Sequence, residues 1–138
     1  MQLFLDANVL FSAAHHAGGN ARAIFQLASA GYCDLVTSRF AWEEARRNLV
    51  VKYPAALREL DALLQQLAVM REPTAGALAE ASRRGLPVQD VPILAAAIAA
   101  QADVLVTGDR RDFGSLFGQR IEGVLVVPPV RAVDLVLE

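Results

Sequence analysis

Leu3-Phe4-Leu5-Asp6 is a short apolar run that ends in an acid, and Val104-Leu105-Val106-Thr107-Gly108-Asp109 repeats this pattern far along the chain. Unbroken apolar runs of this length are typical of strands in a parallel sheet that helices cover on both faces. Ligands bind to such sheets at the carboxyl ends of the strands. Asp6 and Asp109 are therefore placed where the fold is expected to have its site.

Strands and helices alternate along the rest of the chain. The residue patterns predict further strands at 34–37 and 124–127, and helices at 7–15, 21–30, 39–53, 55–67, 75–84, 91–102, 111–117 and 130–137. Val69-Met70 either continues the helix at 55–67 or forms a short strand. The alternation predicts an α/β protein with a mainly parallel sheet. The 138 residues contain no linker or repeat, so we expect a single domain over 1–138.

The composition excludes several classes of protein. Apolar residues make up 54% and charged residues 20% of the chain, which is a globular composition. Cys33 is the only cysteine, so neither an internal disulfide nor a cysteine metal site can form. The net charge of −2 does not suit a protein that grips nucleic acid by charge alone. No apolar stretch is long enough to span a membrane, and no signal peptide is evident, so we expect a cytoplasmic protein.

Three aspartates carry the functional interpretation. Asp6 and Asp109 follow strands, and Asp90 opens the very apolar helix at 91–102, which could bring it to the same edge. Each of the three also precedes a helical segment, so each could instead be an ordinary N-cap. Arg22, Arg46, Arg47, Arg110 and Arg111 are candidates for phosphate contacts, with solvated surface charge as the alternative.

A fourth acid is expected from Glu43 or Glu44, near the start of the helix at 39–53. Arg46 and Arg47 follow Glu43 at the spacings of helical ion pairs, which makes Glu43 the better salt-bridge candidate. Glu44 shares a helix face with Phe40 and points more toward the core. We therefore prefer Glu44 as the site residue, and Glu43 stays open.

Several carboxylates at one sheet edge repel one another unless a cation neutralises them. Hard divalent cations such as Mg²⁺ take oxygen ligands of this kind. Zinc is not expected, because the chain has few histidines and no second cysteine.

At this point the residues resemble the PIN domain family. Leu3–Leu10 is similar to the opening of these domains, and Ser38 followed by Glu44 is similar to their second acidic motif. Asp90–Ala97 resembles the third motif and Val104–Phe113 the fourth. The motifs occur in family order and span nearly the whole chain. By pattern the chain is similar to the bacterial toxin-like PIN proteins, which include the VapC-like toxins.

The resemblance implies a three-layer α/β/α sandwich and cleavage of RNA that depends on Mg²⁺ or Mn²⁺. It implies that the metal-site acids, which are also the catalytic residues, are Asp6, Glu44, Asp90 and Asp109, with Asp112 a weaker metal ligand. Asn8 and Thr107 would hold these carboxylates in place, and Ser12 is a weaker candidate. For Asp112 the alternative is an exposed charge paired with Arg110 or Arg111. The resemblance also implies frequent homodimers and a possible antitoxin protein as partner.

Two other classes of function stay open. A catalytically idle PIN-like module could keep the acids for binding metal or RNA, although the intact set of acids argues against it. The chain could also be a flavodoxin-like or receiver-like signalling domain. Receivers gather acids around Mg²⁺ too, but they normally pair two acids early in the chain and keep a lysine late. Here Lys52, the only lysine, lies in the middle of the chain, which argues against a receiver.

Overall fold

Six strands form one sheet, and eight helices surround it. The structure, a computed structural model, describes residues 1–138. The strands are β1 (Gln2–Leu5), β2 (Asp34–Ser38), β3 (Leu67–Met70), β4 (Val104–Val106), β5 (Arg120–Ile121) and β6 (Val124–Val127). The helices are α1 (Ala7–His15), α2 (Asn20–Ser29), α3 (Arg39–Lys52), α4 (Leu57–Leu64), α5 (Ala75–Ser82), α6 (Val91–Ala99), α7 (Arg110–Phe113) and α8 (Pro129–Leu137). Short 3₁₀ turns occupy Pro54–Ala56, Val88–Asp90 and Gly114–Leu116.

The sheet order shows how the layers form. The strands lie in the order β3-β2-β1-β4-β6-β5, and all neighbours are parallel except β5 and β6. The chain moves outward from β1 to β3 and then returns past β1 to β4. Because parallel crossovers are right-handed, this reversal puts α5 and α6 on the face opposite α1 to α4. The expected three-layer α/β/α fold with a mainly parallel sheet is confirmed.

The reversal of direction lies between β1 and β4, the two central strands. Their residues Leu3–Leu5 and Val104–Val106 are almost completely buried, as their unbroken apolar sequences predict. Connections leave these neighbouring strands in opposite directions, which opens a crevice at their carboxyl ends. Leu5 is level with Val106 in the sheet, so Asp6 and Thr107 emerge side by side at the crevice.

One hydrophobic core holds the layers together. It contains 37 buried residues drawn from the central strands and from helices on both faces. Ser38 ends β2 and caps α3 as expected, because its Oγ accepts a hydrogen bond from the backbone N–H of Ala41 at 3.1 Å. None of the eight helices is both long enough and apolar enough to pass through a bilayer.

The single helix predicted at 55–67 is wrong. Pro54 begins a 3₁₀ turn, α4 ends at Leu64, and Leu67 opens β3. The leucine stripe extended the predicted helix because Leu67 falls at helical spacing. In the structure Leu67 pairs with Leu35 of β2, so sheet pairing between distant residues overrides the local pattern. The strand alternative for Val69-Met70 is therefore confirmed.

Two smaller differences between the predicted and the observed elements come from backbone conformations that the sequence does not indicate. α6 ends at Ala99 instead of Ala102, because Gln101 adopts a left-handed φ of 54° that normally favours glycine. The sequence pattern does not predict β5. Glu122 and Gly123, with φ of 50° and 85°, form the turn that folds β5 back along β6.

Candidate metal centre

Asp6 is the hub of a hydrogen-bond network at the end of β1. Its side chain is almost fully buried, with 3% of the residue exposed. The backbone N–H of Ala7 donates to Oδ1 at 2.6 Å, whereas Asn8 Nδ2 and the Thr107 hydroxyl donate to Oδ2 at 3.0 and 2.8 Å. Burial nevertheless raises the pKa of Asp6 to about 6, against the lowering effect of these donors, and the charge of Glu44 adds to the rise. Asp6 is thus both a helix cap and a carboxylate held in one orientation.

The same network joins the ends of β1 and β4. Asn8 Oδ1 accepts from the backbone N–H of Gly108 at 2.6 Å, and Thr107 Oγ1 accepts from that of Asp109 at 3.2 Å. A Cβ atom on Gly108 would lie 3.2 Å from Asn8 Oδ1, so only glycine leaves this approach unhindered. Asn8 and Thr107 therefore make the contacts expected of residues that orient the carboxylates.

Asp90, Asp109 and Asp112 form a second group of acids beside this network. One carboxylate oxygen from each lies within 4.8 Å of the others. Asp109 caps α7, since its Oδ1 accepts from the backbone N–H of Asp112 at 3.0 Å. No ion pair joins Asp112 to Arg110 or Arg111, so the surface-pair alternative for Asp112 is wrong.

Asp90 differs from Asp6 and Asp109 because no N–H group or hydroxyl group of the chain donates a hydrogen bond to its carboxylate. Its side chain makes no capping hydrogen bond to α6, so the N-cap alternative is wrong for this residue. Its Oδ2 atom is buried and has no hydrogen-bond partner. Burial, the neighbouring carboxyl of Asp112 and repulsion from Asp109 and Asp6 together raise the pKa of Asp90 to about 7. An oxygen in this position must either be protonated and donate to Asp112 or be neutralised by a cation.

Glu43 and Glu44 have separate surroundings. Glu43 binds the guanidinium Nε of Arg39 at 2.8 Å, on the N-terminal side, rather than Arg46 or Arg47 as expected. Glu44 lines the cavity that the acids border, and its charge reaches Asp6. Glu44 is therefore the acid of the pair that lies with the other carboxylates.

These side chains border one open cavity of about 750 Å³. Glu44, Asp90 and Asp109 line it, whereas Asp6 lies beneath the lining residue Asn8. Asp112 contributes to the group of acids without lining the cavity. Ser12, the weaker candidate, also belongs to the lining.

The cationic side chains differ from those expected. Of the five candidate arginines only Arg110 lines the cavity. Arg22 instead supports the fold, because its guanidinium binds the Ala13 carbonyl and lies 3.3 Å from Glu59.

Four polar residues of the cavity are absent from the sequence-based prediction, namely His16, Asn20, Asn48 and Lys52. Asn48 and Lys52 follow Glu44 at intervals of four along α3, and this helical spacing could have identified them. His16 lies just beyond α1, where the sequence indicates only a surface residue; no pattern in the sequence indicates that it lines the cavity.

Comparison with known proteins agrees with this architecture. The family model of the PIN domain matches residues 2–111. No curated protein matches the chain.

Three solved structures are similar to the chain over nearly their full lengths. One is the structure of VapBC2 from Rickettsia felis bound to a DNA fragment from the VapBC2 promoter. It has 18% identity and a TM-score of 0.67, and the match covers 93% of this chain and 98% of that one. PAE2754 from Pyrobaculum aerophilum has 21% identity and a TM-score of 0.67, with coverages of 99% and 98%. VapBC-1 from nontypeable Haemophilus influenzae has 17% identity and a TM-score of 0.64, with coverages of 94% and 99%. At these identities the likeness concerns the fold alone.

Proposed function

Because the chain belongs to the PIN domain family, we propose that it is an endoribonuclease that hydrolyses RNA phosphodiester bonds with Mg²⁺ or Mn²⁺. The proposal rests on the group of acids around Asp90. Three carboxylates approach within 4.8 Å there, and a buried carboxylate oxygen has no partner from the chain. Such an arrangement costs stability unless a proton or a cation neutralises it.

The donor set suits a hard divalent cation. All the candidate ligands are carboxylate oxygens, which Mg²⁺ and Mn²⁺ prefer to nitrogen or sulfur. Asp6, Glu44, Asp90 and Asp109 would hold the metal, with Asp112 as a further ligand. A bound ion would lower the pKa of a coordinated water and stabilise the charge that develops on the phosphate.

The residues of the chain divide the remaining work. Asn8 and Thr107 keep the Asp6 carboxylate oriented through hydrogen bonds of 3.0 and 2.8 Å. Lys52 and Arg110 supply positive charge to the cavity, where they can attract the phosphates of a strand that the acids would otherwise repel. Metal binding displaces the protons that Asp6 and Asp90 retain near neutral pH, so affinity for the ion rises with pH.

A toxin role within a toxin–antitoxin pair is part of this proposal. Two of the three solved structures named above are VapBC assemblies, and a further similar structure is FitAB bound to IR36 DNA. By this likeness we expect an antitoxin protein as partner, and from the resemblance to the family we also propose a homodimer as the working form. We also propose that residues 1–138 act as one domain.

The test compares an acid that lines the cavity with an acid that lies outside it. Purified wild-type protein, Asp90→Asn and Glu43→Gln are incubated with a labelled RNA pool in Mn²⁺, in Mg²⁺ and in EDTA. We expect cleavage by the wild type and by Glu43→Gln with metal only, and no cleavage by Asp90→Asn. Glu43 is the matched control because its carboxylate binds Arg39 outside the cavity.

Other outcomes would contradict the proposal in different ways. Cleavage that persists in EDTA or in Asp90→Asn would show that the activity does not come from this site. Calorimetric Mn²⁺ binding without cleavage of any RNA would favour the binding module over the nuclease. Absence of both would overturn the metal centre.

A further inference from the structure

Three aromatic rings, two exposed and one partly buried, form a group at the rim of the cavity. Phe11 and His15 are one turn apart on α1, and Tyr53 follows the last residue of α3. The His15 and Tyr53 rings are stacked, with centroids 4.4 Å apart and planes 9° from parallel. The centroid of the Phe11 ring lies 4.8 Å from that of His15 and 5.8 Å from that of Tyr53. We name Phe11, His15 and Tyr53 the aromatic platform.

The platform remains open to solvent even though its rings contact one another. Tyr53 is 48% exposed, and His15 is also exposed. Phe11 packs partly against the hydrophobic core, whereas Tyr53 does not belong to it. Stacked rings that keep half their surface in water retain faces to which a flat molecule can add.

The platform is continuous with the cavity of acids. Phe11 belongs to both, since it lines the cavity and contacts the other two rings. Lys52 also lines the cavity, and its Nζ lies 5.8 Å from the centre of the Phe11 ring. Lys52 forms no ion pair with an acid of the chain, so its charge is free to contact an anion.

We propose that the aromatic platform binds a nucleobase of the RNA strand by stacking, while Lys52 contacts the phosphate between that base and the cavity. This inference rests on the proposed nuclease function and adds a statement of where the RNA strand leaves the cavity. An aromatic surface beside a lone cation matches the alternating base and phosphate of a single strand. Stacking accepts every base, so the platform binds single strands without reading a sequence.

The test measures binding without cleavage. Labelled uridine and adenosine octamers, and an abasic octamer with the same phosphates, are titrated with the full-length protein in Ca²⁺, and gels confirm that the RNA stays intact. We expect Tyr53→Leu to bind the octamers with bases about 5- to 150-fold more weakly than the wild type. On the abasic octamer the two proteins should bind equally, and Tyr53→Trp should restore the affinity for bases.

Two control variants separate stacking from other effects. Tyr32 is the other tyrosine, is 60% exposed and lies outside the platform, so Tyr32→Leu should bind every octamer as the wild type does. Lys52→Met should weaken binding to all octamers alike. It should also reduce the slope of log affinity against log salt concentration by about 0.7, because one phosphate is no longer neutralised by the protein.

The outcomes distinguish this inference from the one it rests on. If the wild type cleaves RNA but Tyr53→Leu binds the octamers unchanged, the platform is refuted and the nuclease stands. A loss for Tyr53→Leu that is equally large on the abasic octamer would also refute base stacking, because it would indicate a structural defect. If the wild type neither binds nor cleaves RNA, both proposals fall.

Discussion

Asp6 and Asp90 carry the same charge at the same edge of the sheet, but their surroundings are opposite. Three donors surround Asp6, from Ala7, Asn8 and Thr107, within 3.0 Å. Asp90 has no donor at its buried Oδ2 and faces two other carboxylates. The fold therefore supports one half of its acidic cluster by itself. The other half is built at a cost that only a proton or a cation can offset.

Removing Asp6 should produce the largest effect on stability. Asp6→Ala deletes the cap of α1, leaves the Thr107 hydroxyl without its acceptor and removes one of the two acceptors of the Asn8 amide. We expect the free energy of unfolding to fall by about 2–3 kcal/mol, measured by urea denaturation. Asp61→Ala, at an exposed position on α4, is the control and should change little. Equal stability of the two variants would show that the network contributes nothing.

Removing the charge at Asp90 should have a smaller effect of the opposite sign. In metal-free buffer at about pH 8, Asp90→Asn removes a charge that burial and repulsion from the neighbouring carboxylates disfavour, the causes that raise the pKa of Asp90 to about 7. Because solvent partly screens this repulsion, we expect a gain of about 1 kcal/mol in the free energy of unfolding. The same variant should lose the stabilisation that Mn²⁺ gives the wild type. A destabilised Asp90→Asn would mean that an unrecognised donor supports Asp90.

The stability gain of Asp90→Asn should depend on pH. The folded pKa of Asp90 is about 7 and the ordinary value is 3.8, so between them the folded wild type keeps a proton that the unfolded chain releases. Acidification therefore stabilises the folded wild type relative to the variant. Urea titrations should show the gain in full above about pH 7 and shrinking as the pH falls to about 5. A gain that grows with acid would contradict the raised pKa.

The smallest effect on stability is expected at Gly108, whose backbone N–H donates to Asn8 in the Asp6 network. Gly108→Ala brings a Cβ atom to 3.2 Å from Asn8 Oδ1, so the amide must shift by a few tenths of an ångström. We expect stability to change by less than about 1 kcal/mol, because Gly108 is exposed and the shift is small. Mn²⁺ affinity, measured by calorimetry, should nevertheless fall several-fold, since Asn8 orients Asp6. Gly76→Ala, where a Cβ atom would have ample room, serves as the control.

The sequence predicts most of the fold because its strongest signals are local. The apolar runs of β1 and β4 and the Ser38 cap of α3 each work within a few residues, and the structure has all of them. β3 is only partly predictable, because its pairing with β2 depends on residues about 32 positions apart in the chain rather than on a pattern. β5 depends on left-handed Glu122 and Gly123, and Glu is rarely found in that conformation.

The candidate site shows the same division. Placing acids at strand ends brings Asp6 and Asp109 to one edge, and the helix at Asp90 delivers a third acid there. The sequence does not reveal which of these acids has hydrogen-bond donors around it, because each of them precedes a helical segment and could cap it. Only the packed structure separates Asp90, which has no donor, from Asp6, which has three.

The network between Asn8 and Thr107 joins residues that lie 99 positions apart in the sequence, so it cannot form until both segments have been synthesised. The ribosome releases the N-terminal residues first, and Asp6 emerges long before its partners in β4 have been made. Until Thr107 and Asp109 are available, Asp6 lacks its hydroxyl donor and Asp90 lacks its neighbouring acids. The grouping of acids that could share an ion would therefore arise only after the segment from Val104 to Asp112 has been synthesised.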